Sequence, residues 1–419
     1  MLAVHAHPDD ETLTSGALLA TWAAAGLPAL VVTCTRGERG EVIGADLAHL
    51  EGDAPALATH REHEVAAAAA ALDVPHHFLD TLPLPTRAST ERAPRVAQNG
   101  HLPTEAARSA EEGRAEEGAA GVRERYEDSG MAWCGTGQAG SAGDPPPHAL
   151  VGADRERAAG RLALLLRVRR PDLVVTYEPG GGYGHPDHVR AHELTMRAVT
   201  LAADPAWPAV AASGLPADVE VAGLPTGADV ARPSAGAAAD GPPADAAADG
   251  LPAGAAAAGL PADAAAAGLP AGGTRPEPWR TPGVLWAVTD PAALRAGYVA
   301  LAVAPSVRAL LADRSDRRAT REGPLVLPDP DGPLPSVAAA GRPVDVAVPV
   351  GPVRDRVLAA LRAHATQVQA VTALDGSGPV ACYALSNLVL APVLADETYA
   401  WAPGHLPARP VWPAGVRAT

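Results

Sequence analysis

Two stretches with the same layout constrain the fold more than any other feature of this sequence. Leu2 to Val4 predicts a short buried strand, and a His-Ala-His-Pro-Asp-Asp loop separates it from a helical pattern that begins at Glu11. Residues 172–177 predict a second buried strand, followed by a Gly-rich loop, a His-Pro-Asp-His motif and another helix. Ligands of open α/β sheets bind beyond the carboxyl ends of the strands. The two loops therefore predict one polar site at the edge of a parallel sheet.

The side chains of these loops suit a divalent metal ion. They are His7, Asp9 and Asp10 in the first loop, and His185, Asp187 and His188 in the second. A histidine and a carboxylate from one loop, with a histidine from the other, would form a three-ligand site open to water. The alternative for the first loop is that Asp9 and Asp10 only cap the following helix. The second loop favours the metal site.

The residues also carry a resemblance to a known family. Segments 5–11 and 182–188 resemble the two motifs of the zinc-dependent sugar N-deacetylases of the PIG-L superfamily. Five further segments resemble its mycothiol branch: 32–44, 128–131, 364–368, 384–387 and 394–397. The resemblance implies an α/β fold, with a doubly wound, Rossmann-like and mostly parallel sheet between two helical layers. It also implies a smaller C-terminal α+β region that covers the site like a lid.

The resemblance implies a role for each residue of the two loops. His7, Asp10 and His188 would bind Zn²⁺, one ion per chain, and the same ligand types also suit Fe²⁺. Asp9 would be the general base that activates water.

Further residues have implied roles around the bound substrate. Tyr183 would stabilise the oxyanion, and His185 would protonate the leaving amine, with Asp187 orienting His185 and raising its pKa. The expected substrate contacts are Arg61, Asp128 and Glu41. For Arg61 and Glu41 the alternatives are an ordinary surface ion pair and a solvated loop.

The implied activity is hydrolysis of the N-acetyl group of 1-D-myo-inositol 2-acetamido-2-deoxy-α-D-glucopyranoside, a step of mycothiol biosynthesis. The sister enzyme, mycothiol S-conjugate amidase, is the nearest alternative, but it tends to carry Lys after the first motif and Pro before the second histidine. In this chain residues 12–15 contain no Lys, and Gly184 stands where the amidase tends to have Pro, as in the deacetylase. A non-catalytic sugar or nucleotide binder is a different alternative. It is disfavoured because no Gly-x-Gly-x-x-Gly follows the first strand and because Asp9 is retained.

Composition divides the chain into three parts. Residues 1–202 form the expected catalytic region, with a low-complexity insertion at about 86–123. Residues 203–279 repeat Gly-Leu-Pro among alanines at a nine-residue period, which predicts a disordered insertion. Residues 280–419 would complete the fold and the substrate site.

Charge and cysteine content limit the partners. The net charge is −15 and no segment combines clustered Lys or Arg with aromatic residues, which argues against nucleic acid and anionic membranes. The 3 cysteines are far apart in the sequence, as expected for a reducing cytoplasm. We expect no signal peptide and no membrane span, because no suitable leader or long apolar run occurs. The predicted partner is a small-molecule substrate.

Overall fold

The computed structural model describes residues 1–84, 124–135, 137–207, 276–312, 323–338, 341–376, 378–407 and 412–418. The predicted insertion at 86–123 and nearly all of the predicted repeat at 203–279 lie outside the described residues. The proposed division into three parts therefore stays a prediction at these two segments.

The described chain contains thirteen strands and seven α-helices. The strands are β1 (Leu2–His5), β2 (Leu30–Thr33), β3 (His76–Phe78), β4 (Met131–Gly135), β5 (Gln138–Ser141), β6 (Leu173–Tyr177), β7 (Gly283–Val288), β8 (Val346–Pro349), β9 (Gln369–Ala373), β10 (Ala381–Ala384), β11 (Leu390–Val393), β12 (Asp396–Trp401) and β13 (Arg417–Ala418). The helices are α1 (Asp10–Ala24), α2 (Ala54–Leu72), α3 (Arg155–Arg169), α4 (Pro186–Ala203), α5 (Pro291–Val303), α6 (Pro305–Ala312) and α7 (Arg354–Ala363).

Eight strands form the central sheet, in the order β13-β8-β12-β7-β6-β1-β2-β3. The five from β7 to β3 are parallel to their neighbours, and β12, β8 and β13 pair antiparallel at the other edge. The predicted mixed α/β fold with a mostly parallel sheet is confirmed. Four of the eight strands follow residue 280, so both ends of the chain build one sheet.

Helices cover both faces of this sheet because its strands alternate side chains between two apolar layers. On one face Val4 belongs to a buried cluster with Leu162 of α3 and with residues of α4. On the other face Ala3 belongs to a cluster with Leu72 of α2 and with residues of α1 and α7. This is the doubly wound arrangement that the two buried runs predict.

Two smaller sheets flank the central one. β9, β10 and β11 form an antiparallel sheet that packs with α5 and α6, and β4 and β5 form a hairpin. Within the described ranges, no single helix has the length and apolarity to cross a membrane. The pair α5 and α6, bent by 63°, meets that test only when taken together.

Candidate active site

The site lies where the strand order reverses. From β1 the chain continues to β2 and β3 on one side, whereas β6 and β7 lie on the other side of β1. The loop after β1 leads into α1 with Asp9 as its N-cap, and the loop after β6 leads into α4 with His185 as its N-cap. Both loops line one cavity of about 780 Å³, together with residues of the C-terminal region. The two predicted loops do meet at a topological switch point, where such sheets bind ligands.

His7, Asp10 and His188 meet on the floor of the cavity. Asp10 Oδ2 lies 3.4 Å from His7 Nδ1 and 3.3 Å from His188 Nε2. A tetrahedral ion with bonds of about 2.0–2.1 Å holds its ligand atoms about 3.3–3.4 Å apart, and both distances from Asp10 match this spacing. His188 Nε2 is buried and has no hydrogen-bond partner among the described residues, which leaves its lone pair for a metal. The donor types and the spacing around Asp10 therefore suit a divalent cation.

Two further groups of side chains bring their ligand atoms close enough to hold a metal ion. Ligand atoms of His7, His185 and His188 lie within 4.8 Å of one another, and so do those of His7 with Asp128 and Asp187. His7 belongs to both groups and His188 to the first. Neither group contains Asp10, so the first group shares His7 and His188 with the expected ligand set but has His185 in place of Asp10.

Asp187 orients His7. Its Oδ2 lies 3.2 Å from His7 Nε2, and it also accepts a hydrogen bond of 2.8 Å from the Ser129 N–H. The Ser129 hydroxyl donates to the other carboxylate oxygen. A carboxylate on the far nitrogen of a metal-binding histidine fixes the ring and its tautomer, so that Nδ1 of His7 faces Asp10. The Asp187 carboxylate therefore faces His7, and Asp187 contacts the expected partner His185 through its backbone N–H.

His185 differs from expectation in its charge. Its Nδ1 accepts the backbone N–H of Asp187 at 3.1 Å, which leaves Nε2 for the cavity. Burial, together with the neighbouring His7 and His188, lowers the pKa of His185 to about 2. The Asp187 charge acts in the expected direction, but it is too weak to outweigh these effects. The expected raised pKa is not found.

Asp9 and Asp10 are adjacent, yet their carboxyl groups have opposite pKa shifts. Burial raises the pKa of Asp9 well above 3.8, and the Asp10 charge adds to this. Burial also opposes ionisation of Asp10, but His188 and His7 outweigh it and hold the pKa well below 3.8. Carboxyl groups pushed apart in this way commonly divide acid–base and electrostatic roles. This pattern suits Asp9 as the base and Asp10 as a ligand.

The backbone of Asp9 is strained. Its φ is 104°, a conformation that favours glycine and costs about 1–3 kcal/mol in other residues. Its N–H donates to Glu11 Oε2 at 3.0 Å. Strain of this kind persists only where the surrounding structure imposes it.

The Gly-rich loop places Tyr183 over His188. Their ring centroids are 4.8 Å apart, and burial raises the pKa of Tyr183 well above 10, so its hydroxyl stays a donor. The loop is held by Glu178, which accepts the Gly182 N–H at 3.0 Å. It is also held by the Ala139 N–H, which donates to Tyr183 O at 2.8 Å. The loop's position thus depends on the β4–β5 hairpin.

Arg61 supports loops of the chain. Only 2% of Arg61 is exposed, and its Nε donates to Thr366 Oγ1 at 3.2 Å while its Nη2 donates to Glu41 O at 3.0 Å. Its Nη1 donates to Gly37 O. Arg61 lines the cavity, but its donors hold the 37–41 loop in place rather than reaching into the site. The expected sugar contact is not what the geometry of this side chain favours.

Asp128 and Glu41 also line the cavity. Asp128 is buried, and its carboxylate accepts the Gly130 N–H at 2.8 Å and the Arg39 N–H at 3.3 Å. Glu41 is exposed. Both positions are compatible with contact to substrate hydroxyls.

One aromatic residue at the rim was not predicted. Trp133 of β4 is 48% exposed, lines the cavity and stacks on Tyr183, with ring centroids 6.0 Å apart. An exposed tryptophan beside a site residue is the signal that could have identified it, because large aromatic residues are enriched in binding surfaces.

The C-terminal region is more than a lid. Residues 383–394 line the cavity, as expected, but His364 is fully buried below the first loop. Its Nε2 donates to Glu11 Oε1 at 2.8 Å. His364 is thus a buried polar group that contacts the first turn of α1 and does not line the cavity.

Comparison with known proteins gives a family for the amino-terminal part. Residues 2–199 match the family model of GlcNAc-PI de-N-acetylase, PIG-L. Proteins named 1D-myo-inositol 2-acetamido-2-deoxy-alpha-D-glucopyranoside deacetylase are similar to this chain. The one from Kineococcus radiotolerans is 44% identical over 203 residues, 48% of this chain and 45% of the relative. The one from Streptomyces avermitilis is 41% identical over 209 residues, 49% of this chain and 55% of the relative.

The chain thus spans about half the length of the curated relatives it matches. Among solved structures, N,N'-diacetylchitobiose deacetylase from Pyrococcus horikoshii is 19% identical, with a TM-score of 0.30 and coverage of 49% of this chain and 51% of that chain. The family match rests on the sequence that carries both loops of the site. Residues 2–199 of this chain are therefore similar to the PIG-L family over the segment that carries both loops.

Proposed function

We propose that this protein is a metal-dependent deacetylase that hydrolyses 1-D-myo-inositol 2-acetamido-2-deoxy-α-D-glucopyranoside to the free amine and acetate. The observation that carries the proposal is the pair of aspartates with opposite pKa shifts beside two histidines on the floor of the cavity. The names of the similar proteins support the substrate. The pathway is then mycothiol biosynthesis, and the expected location is the cytoplasm.

We assign the metal to His7, Asp10 and His188, with Zn²⁺ as the proposed ion. A divalent ion bound there would polarise the acetamide carbonyl and acidify water. The proposed set supplies two neutral nitrogens and one carboxylate, which is the donor combination of catalytic zinc sites. Asp187 keeps His7 in the tautomer that presents Nδ1.

Side chains of this protein take up the proton of the attacking water and stabilise the negative charge that develops on the carbonyl oxygen. Asp9 takes a proton from the attacking water, whose oxygen bonds to the acetyl carbon. The Tyr183 hydroxyl donates to the carbonyl oxygen as it becomes negative. The carbon–nitrogen bond then breaks, and the nitrogen leaves as an amine after receiving one proton. The acetamide and water give the amine and acetic acid, which ionise to ammonium and acetate, so the reaction balances without a further reactant.

Two groups are candidates for delivering that last proton. His185 presents Nε2 to the cavity, but its lowered pKa leaves the imidazole neutral at pH 7. Asp9 has a raised pKa and already holds the proton taken from water. The charges favour Asp9 in both steps, with His185 as a hydrogen-bond donor. If Asp9 serves both steps, His185→Asn should retain kcat within about tenfold, whereas a separate acid contributes about 10²–10⁴-fold.

The activity test compares two amides. The metal-loaded protein is incubated with the N-acetylglucosaminyl-inositol and, separately, with a mycothiol S-conjugate, and free amine is measured. Deacetylation with a kcat/KM well above that for the conjugate supports the proposal. Preference for the conjugate would identify an amidase, and inactivity of Asp9→Asn on both substrates would exclude a contaminating hydrolase.

A further inference from the structure

One peptide unit in the first loop is held at both ends. Gln367 Nε2 donates to Pro8 O at 2.6 Å, and the N–H of Asp9 donates to Glu11 Oε2 at 3.0 Å. Pro8 O and Asp9 N belong to the same peptide group, which is planar. Hydrogen bonds to both polar atoms therefore fix the orientation of this peptide plane. The φ angle of Asp9 measures the rotation between this plane and the rest of Asp9.

The acceptor of the Asp9 N–H is itself held. Glu11 Oε1 accepts His364 Nε2 at 2.8 Å, and both side chains are fully buried. Glu11, His364 and Gln367 form what we call the brace. Two of its three members come from the residues just after α7, more than 350 positions along the chain, as the separations of 353 and 359 residues show.

The segment that carries His364 and Gln367 is itself hydrogen-bonded to α2. Between its two C-terminal members lies Thr366, whose N–H and hydroxyl donate to the two oxygens of Glu64 at 2.7 and 2.6 Å. Glu64 belongs to α2, which packs on the central sheet. The segment 364–367 is therefore tied to the body of the domain and can hold the loop against strain.

The loop needs such support because Asp9 has a φ of 104°. Rotation of the Pro8–Asp9 peptide would relieve the strain by returning Asp9 to a negative φ. The same rotation would move the Asp9 carboxylate away from its place beside Asp10 in the cavity wall. The brace opposes this rotation at both polar atoms of the peptide.

We propose that Glu11, His364 and Gln367 are positioning residues that hold the Pro8–Asp9 peptide in its strained orientation and so aim the Asp9 carboxylate into the cavity. The proposal rests on the proposed role of Asp9 as base and deepens it. It gives the C-terminal segment 364–367 a part in proton transfer, through the position of Asp9.

The chain contains a matched control. Gln369 lies two residues from Gln367 and also donates its Nε2 to one backbone oxygen, that of Leu385, at 3.0 Å. Gln367→Leu and Gln369→Leu remove the same kind of donor from neighbouring positions with little change in volume. We expect Gln367→Leu to lower kcat by about 10- to 100-fold, the usual effect of a misplaced group, while KM and metal content change less than about twofold. Gln369→Leu should leave kcat within about twofold.

A double variant tests whether the effect passes through Asp9. In the Asp9→Asn background the base is already lost, so adding Gln367→Leu should lower kcat no further. An equal loss in both backgrounds would overturn the proposal, because Gln367 would then act by another route. Thermal unfolding shows whether Gln367→Leu fails to fold while Gln369→Leu folds. If it does, amide hydrogen exchange of Gln367→Glu decides whether Gln367 holds the peptide.

Amide hydrogen exchange gives a readout without substrate. In Gln367→Glu and Gln367→Leu, exchange of a fragment covering residues 7–13 should become at least about tenfold faster than in wild type and in Gln369→Leu. Unchanged exchange in that fragment would overturn the brace. If wild type releases no acetate, the proposed function is wrong, whereas the exchange comparison still decides whether the brace holds this peptide.

Discussion

Glu11 and His364 form an ion pair in which neither side chain is exposed, although 353 residues separate them. Glu11 is in the first turn of α1, and His364 follows the last residue of α7. The pair therefore joins the beginning of the amino-terminal region to the C-terminal region. A buried pair of this kind is costly to break, because removal of one partner leaves an uncompensated charge.

The pair predicts a pH dependence of stability. Burial opposes the charged form of His364, but Glu11 outweighs it and raises the pKa above 6.5. Its contribution is full below pH 6.5 and is lost as the pH rises through the folded-state pKa, with a slope of up to about 1.4 kcal/mol per pH unit. Glu11, whose pKa is lowered to about 2, loses its contribution only as the pH falls from 4.5 toward 2.

The measurement is urea unfolding of wild type and His364→Gln between pH 5 and pH 9. The stability difference in favour of wild type should shrink as the pH rises above 6.5. A difference that stays constant over this range would show that the ion pair is not what His364 contributes.

Asp9 and Asp10 should separate into base and ligand. Asp9→Asn keeps the shape and removes the basicity, so it should retain metal while kcat falls by about 10²–10⁴-fold. Asp10→Asn should lower the metal content, because an amide is a poor substitute for a carboxylate ligand. Metal analysis and kcat for the two variants side by side check both expectations. The reverse pattern would exchange the two roles.

Asp187 should act on metal affinity through His7. Asp187→Asn removes the charge that faces His7 Nε2 at 3.2 Å. Loss of such a partner typically weakens metal binding by about 10–100-fold. Competition with a chelator measures this affinity without substrate. An unchanged affinity would mean that His7 is not a ligand through Nδ1.

Gly184 should tolerate no side chain. A Cβ there would lie 2.9 Å from Ala139 O, and its φ is 88°. Gly184→Ala must therefore displace the β4–β5 hairpin or the loop that carries Tyr183, and kcat should fall while metal is retained. Gly143→Ala is the control, because Gly143 also has a positive φ of 105° but has no atom within 4 Å of the added Cβ. Equal effects of the two substitutions on kcat would attribute the loss to backbone strain alone.

Trp133 should affect substrate binding more than chemistry. Its exposed ring lines the cavity rim and stacks on Tyr183. Trp133→Ala should raise KM by about tenfold, on the scale of an aromatic contact, with kcat within about threefold. Trp133→Phe should restore most of the affinity. A fall in kcat with unchanged KM would assign the tryptophan to the support of Tyr183 instead.

Local residue patterns are enough to predict where the two loops of the site lie. Apolar runs followed by loops with histidine and aspartate predict where β1 and β6 end, because strand ends and the start of a helix depend on neighbouring residues. Since parallel strands end at the same edge, the motifs predict that a histidine and a carboxylate of the first loop meet a histidine of the second, and the resemblance implies His7, Asp10 and His188 for these positions. The mostly parallel sheet follows from the same pattern.

The partner of each polar group depends on the packing of the whole chain. Asp187 turns to His7 and not to its neighbour His185, because Ser129 and the first loop surround its carboxylate. Arg61 is enclosed by the 37–41 loop and Thr366, which no local pattern reveals. Contacts of this kind join residues far apart in the chain. Their geometry depends on how the helices pack on the sheet, and this packing places residues 364–367 beneath Asp9.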